Sequence, residues 1–179
     1  YGIWSEDSSN TSTTITNTSN DTISTSGSYA HGIFVDGNTG TSLSITNSGT
    51  IKVTGSNAVG IKMDGGVELT NSGTISATGS ATKAIESTGS SSDTLTLSSG
   101  SNITGSIDLG AGTDTVNITG VNGCATSACM STSLTFANTE NINLSGATGA
   151  VSNGVAATVD PTGNSVLGVS LSTMTSAVH

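Results

Sequence analysis

The segment Ser44-Ile45-Thr46-Asn47-Ser48-Gly49-Thr50-Ile51-Lys52-Val53 is repeated along this chain and decides its fold. A second copy runs from Glu68 to Ala77, and a looser copy begins at Thr14. In each copy apolar and polar residues alternate, the alternation stops near an asparagine, and it then resumes. This pattern is typical of two short strands joined by a tight turn. Such internal similarity indicates a solenoid built from one repeated unit.

The repeated unit contains a third strand, marked by an isoleucine that follows a glycine or an alanine. From Ile51 to the next such isoleucine, Ile61, the separation is 10 residues, and it is the same from Ile75 to Ile85. One arm of the unit therefore has a fixed length. The other arm, which leads from the third strand to the next copy of the segment, varies in length and is predicted to contain a loop.

Strands this short cannot bury apolar surface alone, so each is expected to pair with its equivalent in the next unit. Stacked parallel coils place equivalent residues about 4.8 Å apart, and apolar side chains then form columns inside the stack. The sequence therefore predicts an all-β parallel solenoid. Its interior columns are predicted to contain Ile15, Ile33, Ile45, Ile51, Ile61, Leu69, Ile75 and Ile85.

Two residues of the turn between the strands are expected to have structural roles. Asn47 and Asn71 fall in register, so their amides can form hydrogen bonds to one another or to the turn backbone. Gly49 and Gly73 follow them and are expected to supply a positive φ. These roles predict a corner that repeats from coil to coil.

Composition excludes several classes of partner. The chain has 179 residues and a formal charge of -9, with three Lys or Arg residues against twelve Asp or Glu. An acidic chain without a basic cluster is a poor partner for nucleic acid or for an anionic membrane surface. Only 8% of the residues are charged, so solubility depends on hydroxyl and amide groups, which favours a location outside the cell. The chain begins within a repeat, and we interpret it as a fragment or processed product.

The repeat pattern divides the chain into four segments. Residues 1–119 are predicted to form β-helix coils, and residues 134–154 are predicted to form the terminal strands of the same solenoid. Residues 120–133 interrupt the pattern and are interpreted as an excursion loop. Residues 155–179 are predicted to be a connector, with a weak helical pattern after its proline.

Both cysteines of the chain lie in the excursion loop. Cys124 and Cys129 enclose four residues, and we predict a local disulfide between them because exported proteins are commonly oxidised. A metal site is not expected at this pair, since His31 and His179 are distant in sequence and there is no second cysteine pair. The cysteines are therefore predicted to stabilise the loop.

One turn has some likeness to a calcium-binding motif. The segment Gly110-Ala111-Gly112-Thr113-Asp114-Thr115-Val116 fits most of the nonapeptide of toxin-type β-rolls, in which neighbouring copies share each ion. Only one copy is present, and Ala111 replaces the second glycine. We therefore interpret this segment as a tight coil corner, and we expect neither a metal nor a cofactor in the chain.

Nearly the whole chain resembles the C-terminal part of an autotransporter passenger domain, the surface-exposed or secreted part of a type V secretion protein of Gram-negative bacteria. The resemblance depends on the coils at 45–51 and 69–75, on the turn that begins at Gly105, and on the segment Phe136-Ala-Asn-Thr-Glu-Asn-Ile-Asn-Leu144. The segment 159–163 is similar to the stretch that leads from passenger to translocator in this family.

This resemblance implies a right-handed parallel β-helix with a C-terminal connector, and passage of the unfolded chain through an outer-membrane barrel. It also implies a role in adhesion or aggregation at the cell surface or after secretion. The partners implied are a host or bacterial surface ligand, further copies of the chain, and the translocator barrel of the same precursor.

A non-catalytic adhesin or structural stalk is the function that the sequence favours, with two alternatives. Carbohydrate-active enzymes also use parallel β-helices, but glycoside hydrolysis needs two apposed carboxylates, and the acidic residues here are scattered. Ice binding would use flat rows of Thr-X-Thr, as at Thr14-Ile15-Thr16 and Thr94-Leu95-Thr96, but Ser44 and Glu68 interrupt the row. Neither alternative therefore accounts for the pattern as well.

Overall fold

Three parallel β-sheets wind around a shared apolar interior. The computed structural model describes residues 1–7, 12–37, 43–119, 133–145, 148–152 and 154–159. Over these residues the protein is all-β, without a helix, and forms a β-solenoid of about five turns. The predicted parallel solenoid is therefore confirmed.

Each full turn contributes one strand to each sheet. The first sheet contains β1 (Ile3–Asp7), β4 (Ile33–Gly37), β7 (Val59–Asp64), β10 (Lys83–Ser87), β13 (Ser106–Asp108), β15 (Ser133–Ala137), β17 (Thr148–Ser152) and β18 (Val155–Val159). The second sheet contains β2 (Thr13–Asn17), β5 (Leu43–Asn47), β8 (Val67–Asn71), β11 (Thr94–Leu97), β14 (Thr115–Thr119) and β16 (Asn141–Ser145). The third sheet contains β3 (Thr22–Thr25), β6 (Thr50–Val53), β9 (Thr74–Ala77) and β12 (Asn102–Thr104).

Equivalent residues of successive turns lie in register and form the interior columns. In the second sheet, for example, Ile15 pairs with Ile45, and Ile45 pairs with Leu69. Because side chains alternate along a strand, these residues face inward while their neighbours face solvent. The residues predicted for the columns are all buried, namely Ile15, Ile33, Ile45, Ile51, Ile61, Leu69, Ile75 and Ile85.

A buried ladder of asparagine amides runs along one edge of the interior. Nδ2 of Asn17 donates to Oδ1 of Asn47 at 2.7 Å, and Nδ2 of Asn47 donates to Oδ1 of Asn71 at the same distance. Nδ2 of Asn71 donates to the carbonyl oxygen of Gly73 at 3.0 Å. Leu97 occupies the next position in register. The predicted stacking of Asn47 and Asn71 is thus observed, and it begins one turn earlier.

The glycines that follow these asparagines have a different role from the predicted one. Neither Gly49 nor Gly73 has a positive φ, so that expectation was wrong. A Cβ added to Gly73 would instead collide with the carbonyl oxygen of Gly49, because the two turns approach one another closely. Glycine is needed at this corner for the space it leaves, not for its conformational freedom.

An antiparallel hairpin extends the last part of the first sheet. β17 and β18 pair antiparallel, and β18 also pairs antiparallel with β15. The strand Val155–Val159 therefore belongs to this sheet, although it lies at the start of the segment predicted as a connector. The rest of that segment, from residue 160 onward, and the predicted disulfide between Cys124 and Cys129 lie outside the described residues.

Candidate binding groove and a buried acid ladder

Outward side chains of the first sheet form a row along the solenoid axis, which we call the outer row. Each member follows the inward isoleucine of its strand by one residue, so the alternation of the strand directs it outward. The register places Trp4 beside Phe34, and Phe34 beside Lys62. Glu86 pairs with Lys62 and with Asp108. The outer row therefore changes from aromatic to charged along its length.

Aromatic rings cluster at the first two turns of the outer row. The ring centroid of Tyr1 lies 5.6 Å from that of Trp4 and 5.7 Å from that of Phe34. The exposed fractions of Tyr1, Trp4 and Tyr29 are 56%, 57% and 63%, and these are the large hydrophobic residues that are exposed in the described part of the chain. Because aromatic rings bury large areas when a partner covers them, this cluster on the first coil offers a surface that a ligand or a further coil can cover.

The charged members of the outer row, Lys62, Glu86 and Asp108, are paired with one another or with Lys83, which lies beside the row. Nζ of Lys62 lies 5.9 Å from the centre of the Phe34 ring and 3.7 Å from Oε2 of Glu86. Nζ of Lys83 contacts Oε1 of Glu86 and lies 4.0 Å from Oδ2 of Asp108. Two lysines therefore face two carboxylates. Their charges balance locally, although the whole chain has a formal charge of -9.

A groove of about 230 Å³ lies beside the outer row. Its lining includes Tyr29, His31, Lys62, Lys83 and Glu86. Two of the three basic residues of the chain therefore line this groove. Lys62 lines the groove and lies 5.9 Å from the centre of the Phe34 ring, so the groove adjoins the aromatic cluster.

The turn that carries Tyr29 at the rim of the groove is repeated in the next coil. Tyr29 and Asn57 have nearly the same positive φ, 55° and 56°. The backbone NH of Tyr29 donates to the carbonyl oxygen of Ser56 at 2.9 Å. The left-handed backbone conformation is favourable for asparagine and strained for an aromatic residue. The backbone conformation at this position therefore does not explain why it is a tyrosine. The ring of Tyr29 thus has no evident role in the turn itself.

His31 is buried beneath this surface and is held in its neutral form. Its Nδ1 accepts a hydrogen bond from the backbone NH of Val59 at 3.0 Å, so the proton of the neutral ring lies on Nε2. Burial lowers the pKa of His31, and the positive charge of Lys62 lowers it further, while Glu86 opposes this shift. His31 therefore adds no charge to the groove at neutral pH.

Three acidic residues at the starts of strands in the second sheet form a separate feature, which we call the acid ladder. Oδ1 of Asp93 accepts a hydrogen bond from the backbone NH of Val67 at 2.8 Å. Oδ1 of Asp114 accepts from the NH of Asp93 at 2.7 Å, and Oε2 of Glu140 accepts from the NH of Asp114 at 2.6 Å. Each carboxylate therefore binds the backbone of the preceding turn.

The first two carboxylates of the acid ladder are protonated more easily than exposed ones. Asp93 and Asp114 are buried, and among the described residues Oδ2 of each has no hydrogen-bond partner. Burial raises the pKa of Asp93 to about 6, and neighbouring carboxylates add to the rise, while the hydrogen bond from the NH of Val67 opposes it. Burial also raises the pKa of Asp114.

Asp114 is the acidic residue of the segment that was compared with a calcium-binding motif, and in the structure it belongs to the acid ladder. The same turn contains Gly110, whose φ is +80°. Within the ranges that the structure covers, no group of three or more His, Cys, Asp or Glu side chains is arranged to hold a metal ion. Through Oδ1 of Asp114, this turn contributes a backbone cap to the preceding turn.

Sequence reasoning missed both the outer row and the acid ladder, although each left a local signal. The members of the acid ladder directly precede strands, as in Asp93-Thr94-Leu95 and Asp114-Thr115-Val116. The outer row occupies the position after each repeated isoleucine. Comparing the residue types at these fixed positions from one turn to the next would have revealed both features.

Comparison of the chain with known protein families, with curated proteins and with solved structures finds no match. No helix among the described residues has the length and apolar character that crossing a membrane requires.

Proposed function

We propose that this chain is a non-catalytic extracellular binding scaffold, the passenger part of an autotransporter, which acts as a surface adhesin or a structural stalk. In this proposal the protein is at the cell surface or secreted. Its partners are a host or bacterial surface ligand, further copies of the chain, and the translocator barrel of its own precursor.

The observation that carries the proposal is the division between the interior and exterior of the coils. Apolar side chains fill the columns, whereas outward positions of the second sheet carry hydroxyl and amide groups, with Thr46 beside Thr70 and Asn117 beside Asn143. Such polar ridges favour many weak, parallel contacts. Each contact contributes about 1 kcal/mol, and many together hold two surfaces by multivalency.

The contacts of Asp93, Asp114 and Glu86 support a non-catalytic role for these three residues. Glu6, Asp36 and Asp64 are in register on the outward face of the first sheet, and the turnover assay described below tests them for the alternative of a carbohydrate-active enzyme. Acid–base catalysis needs a carboxyl group that can exchange a proton with the substrate. Asp93 and Asp114 bind backbone NH groups in the interior, and Glu86 is paired with two lysines. These carboxyl groups therefore serve the coil structure and its surface.

Ice binding is a second candidate, favoured by one observation. Thr16, Thr46, Thr70 and Thr96 are in register in consecutive turns and form an outward row of hydroxyl and methyl groups. A second outward row lies two residues earlier in each strand. There the longer side chain of Glu68 stands among small polar residues and interrupts the flat surface that matching an ice lattice requires. Thermal hysteresis of the purified chain in freezing solution would favour this candidate over the adhesin.

The adhesive role can be tested on cells that do not aggregate by themselves. The parent protein and a version lacking residues 1–106 are displayed at equal surface density, which is measured with an antibody to a common tag. We expect the deletion to slow cell settling and to reduce binding to host and bacterial surfaces. Equal behaviour of the two would reject an adhesive role for these coils, and turnover of a polysaccharide or ester by the purified chain would indicate an enzyme.

A further inference from the structure

The adhesive role proposed above does not specify a ligand, but the side chains of the groove and the outer row indicate its chemical class. We propose that this surface binds a neutral oligosaccharide, whose sugar rings lie on the exposed aromatic rings and whose hydroxyl groups bond to Lys62, Lys83 and Glu86. The inference rests on the binding role proposed above, because it names the ligand class for that role.

The exposed rings fit the apolar faces of sugars. A pyranose ring presents a face of C–H groups with partial positive charge, and an aromatic ring presents a face with partial negative charge. Tyr1, Trp4 and Tyr29 each leave more than half of their surface exposed. All three belong to the first coil, where Tyr1 also stacks on Phe34 of the second. Tyr1, Trp4 and Phe34 therefore form a preassembled platform, for which binding would require little ordering of side chains, and Tyr29 stands separately at the rim of the groove.

Charge balance indicates that the ligand is neutral. Glu86 is shared by Lys62 and Lys83, and Asp108 lies 4.0 Å from Nζ of Lys83. An acidic sugar would have to compete with these carboxylates for the lysines. His31 provides no further cation, because its Nδ1 is an acceptor and burial lowers its pKa. The two lysines of the groove, together with Glu86 and the adjacent Asp108, thus offer donors and acceptors whose charges cancel.

The paired charges suit the hydroxyl groups of a sugar. A hydroxyl group both donates and accepts, so it can donate to a carboxylate of Glu86 and accept from an adjacent ammonium group of Lys62 or Lys83. Hydrogen bonds in which one partner is ionised are the stronger ones. The aromatic half of the surface would therefore supply contact area, and the charged half would fix the orientation of the sugar.

The shape of the surface favours an extended chain of sugars over a single ring. The outer row passes through five consecutive turns, from Trp4 to Asp108. With turns about 4.8 Å apart, it spans roughly 19 Å along the solenoid axis. An oligosaccharide that lies along the axis can therefore contact the aromatic and the charged halves simultaneously.

Trp4 provides the measurement, since it is the single tryptophan of the chain and lies in the proposed site. The full chain is titrated with cellohexaose, maltohexaose and chitohexaose, and with hexagalacturonate as the acidic comparison. We expect at least one neutral hexasaccharide to change the fluorescence of Trp4 saturably, with an affinity above that of hexagalacturonate. Isothermal titration calorimetry gives the same affinity independently of fluorescence.

The variant Tyr29→Asn removes a ring of the site without altering the turn. Asparagine already occupies the equivalent position 57 with the same backbone conformation, so we expect the variant to fold. We expect it to bind the sugar about tenfold more weakly, and Glu86→Gln to weaken binding as well. Ser24→Ala, at an exposed position of β3 in the third sheet, is the control and should bind as the original chain does.

Three results would overturn the inference directly: no saturable response to any neutral hexasaccharide, tighter binding of hexagalacturonate, or undiminished sugar binding by Tyr29→Asn. A fourth would be that the chain binds no sugar, that its Trp4 fluorescence changes with protein concentration, and that Tyr29→Asn abolishes this change. The last would assign the surface to a second copy of the chain. Failure here is distinct from failure of the adhesive role. If deletion of the coils reduces adhesion but the full chain binds no sugar, only the ligand class is rejected. If the full chain binds sugar but deletion of the coils leaves adhesion unchanged, only the adhesive role is rejected.

Discussion

The backbone NH of Asp93 donates to Oδ1 of Asp114 across one turn of the solenoid, with a donor–acceptor distance of 2.7 Å. The carboxyl group of Asp93 accepts from the NH of Val67, one turn earlier. Two buried carboxyl groups are therefore stacked in consecutive turns, and each binds a backbone dipole rather than a cation. Because burial disfavours the charged form, the stack is most stable when it is protonated.

We expect the free energy of unfolding to fall as the pH rises from about 4 to 6. The pKa of Asp93 is raised from 3.8 to about 6 in the folded protein, so the folded state binds more protons than the unfolded state in this window. The stability that Asp93 contributes is fully present below its pKa in the unfolded state, and it is lost as the pH rises through its pKa in the folded state. A shift of this size corresponds to on the order of 2 to 3 kcal/mol. Urea unfolding at a series of pH values measures it.

The variant Asp93→Asn separates this effect from other titrations. Its amide oxygen can still accept from the NH of Val67, but the side chain has no charge. We expect the variant to be more stable than the original chain at pH 7 and to lose this part of the pH dependence. His31 titrates in both proteins and cancels in the comparison. Asp21→Asn, at an exposed position, is the control. Parallel pH profiles for Asp93→Asn and the original chain would show that Asp93 is not the source.

Replacement of Ile45 by Ala should destabilise the protein by roughly 2 to 5 kcal/mol, because it leaves a cavity between Ile15 and Leu69. The neighbouring change Thr46→Ser removes one outward methyl group and should cost far less. Thermal and urea unfolding of both variants give the comparison. If the two changes were equally costly, the assignment of inward and outward positions would be wrong.

The buried amide ladder should be sensitive to the loss of its middle member. Asn47→Ala leaves Nδ2 of Asn17 and Oδ1 of Asn71 without their bonds to Asn47, and we expect a cost of about 2 to 4 kcal/mol. Asn143→Ala breaks a similar amide pair on the exposed surface, with Asn117, and should cost well under 1 kcal/mol. Denaturant unfolding compares the two. A similar cost at both sites would mean that burial of the ladder contributes nothing.

Gly60 is expected to tolerate no side chain, because a Cβ there would lie 2.5 Å from the carbonyl oxygen of Ala84 and 2.6 Å from Cγ2 of Ile75. Gly60→Ala should therefore cost about 1 to 3 kcal/mol or more through overpacking. Gly27→Ala is the matched control, since its Cβ would meet only Cβ of Ala30 at 3.4 Å. Melting temperatures decide the comparison, and an unchanged value for Gly60→Ala would contradict the close approach of the coils.

Periodicity predicted the interior of this protein because stacked coils require equivalent inward positions to have side chains of similar chemistry. Ile15, Ile45 and Leu69 face one another across turns, and Asn47 meets Asn71 for the same reason. Outward positions are under no such constraint. Trp4 and Lys62 occupy equivalent positions without similar chemistry, so the outer row is marked in the sequence by its position after each repeated isoleucine and not by a repeated residue type.

In three further features, the contacting partners cannot be identified from a local pattern. Asp93 and Asp114 act on backbone groups 26 and 21 residues away, and this separation varies along the chain. Reversal of direction at β17 and β18 depends on antiparallel pairing, which the parallel repeat does not predict. Gly49 and Gly73 were assigned to the right corner for the wrong reason, because steric approach between turns cannot be read from a single turn.

The parallel register between coils also determines how the protein would respond to force. Hydrogen bonds between successive turns are directed along the solenoid axis, so a pull applied between its two ends loads them in tension rather than in shear. Strand pairs then separate one bond at a time, and coils peel away successively from an end. Release of the coil between Ile33 and Ile61, which are paired in register, lengthens the chain by at most about 90 to 100 Å. A stalk built in this way can extend in steps under load while its remaining coils stay folded.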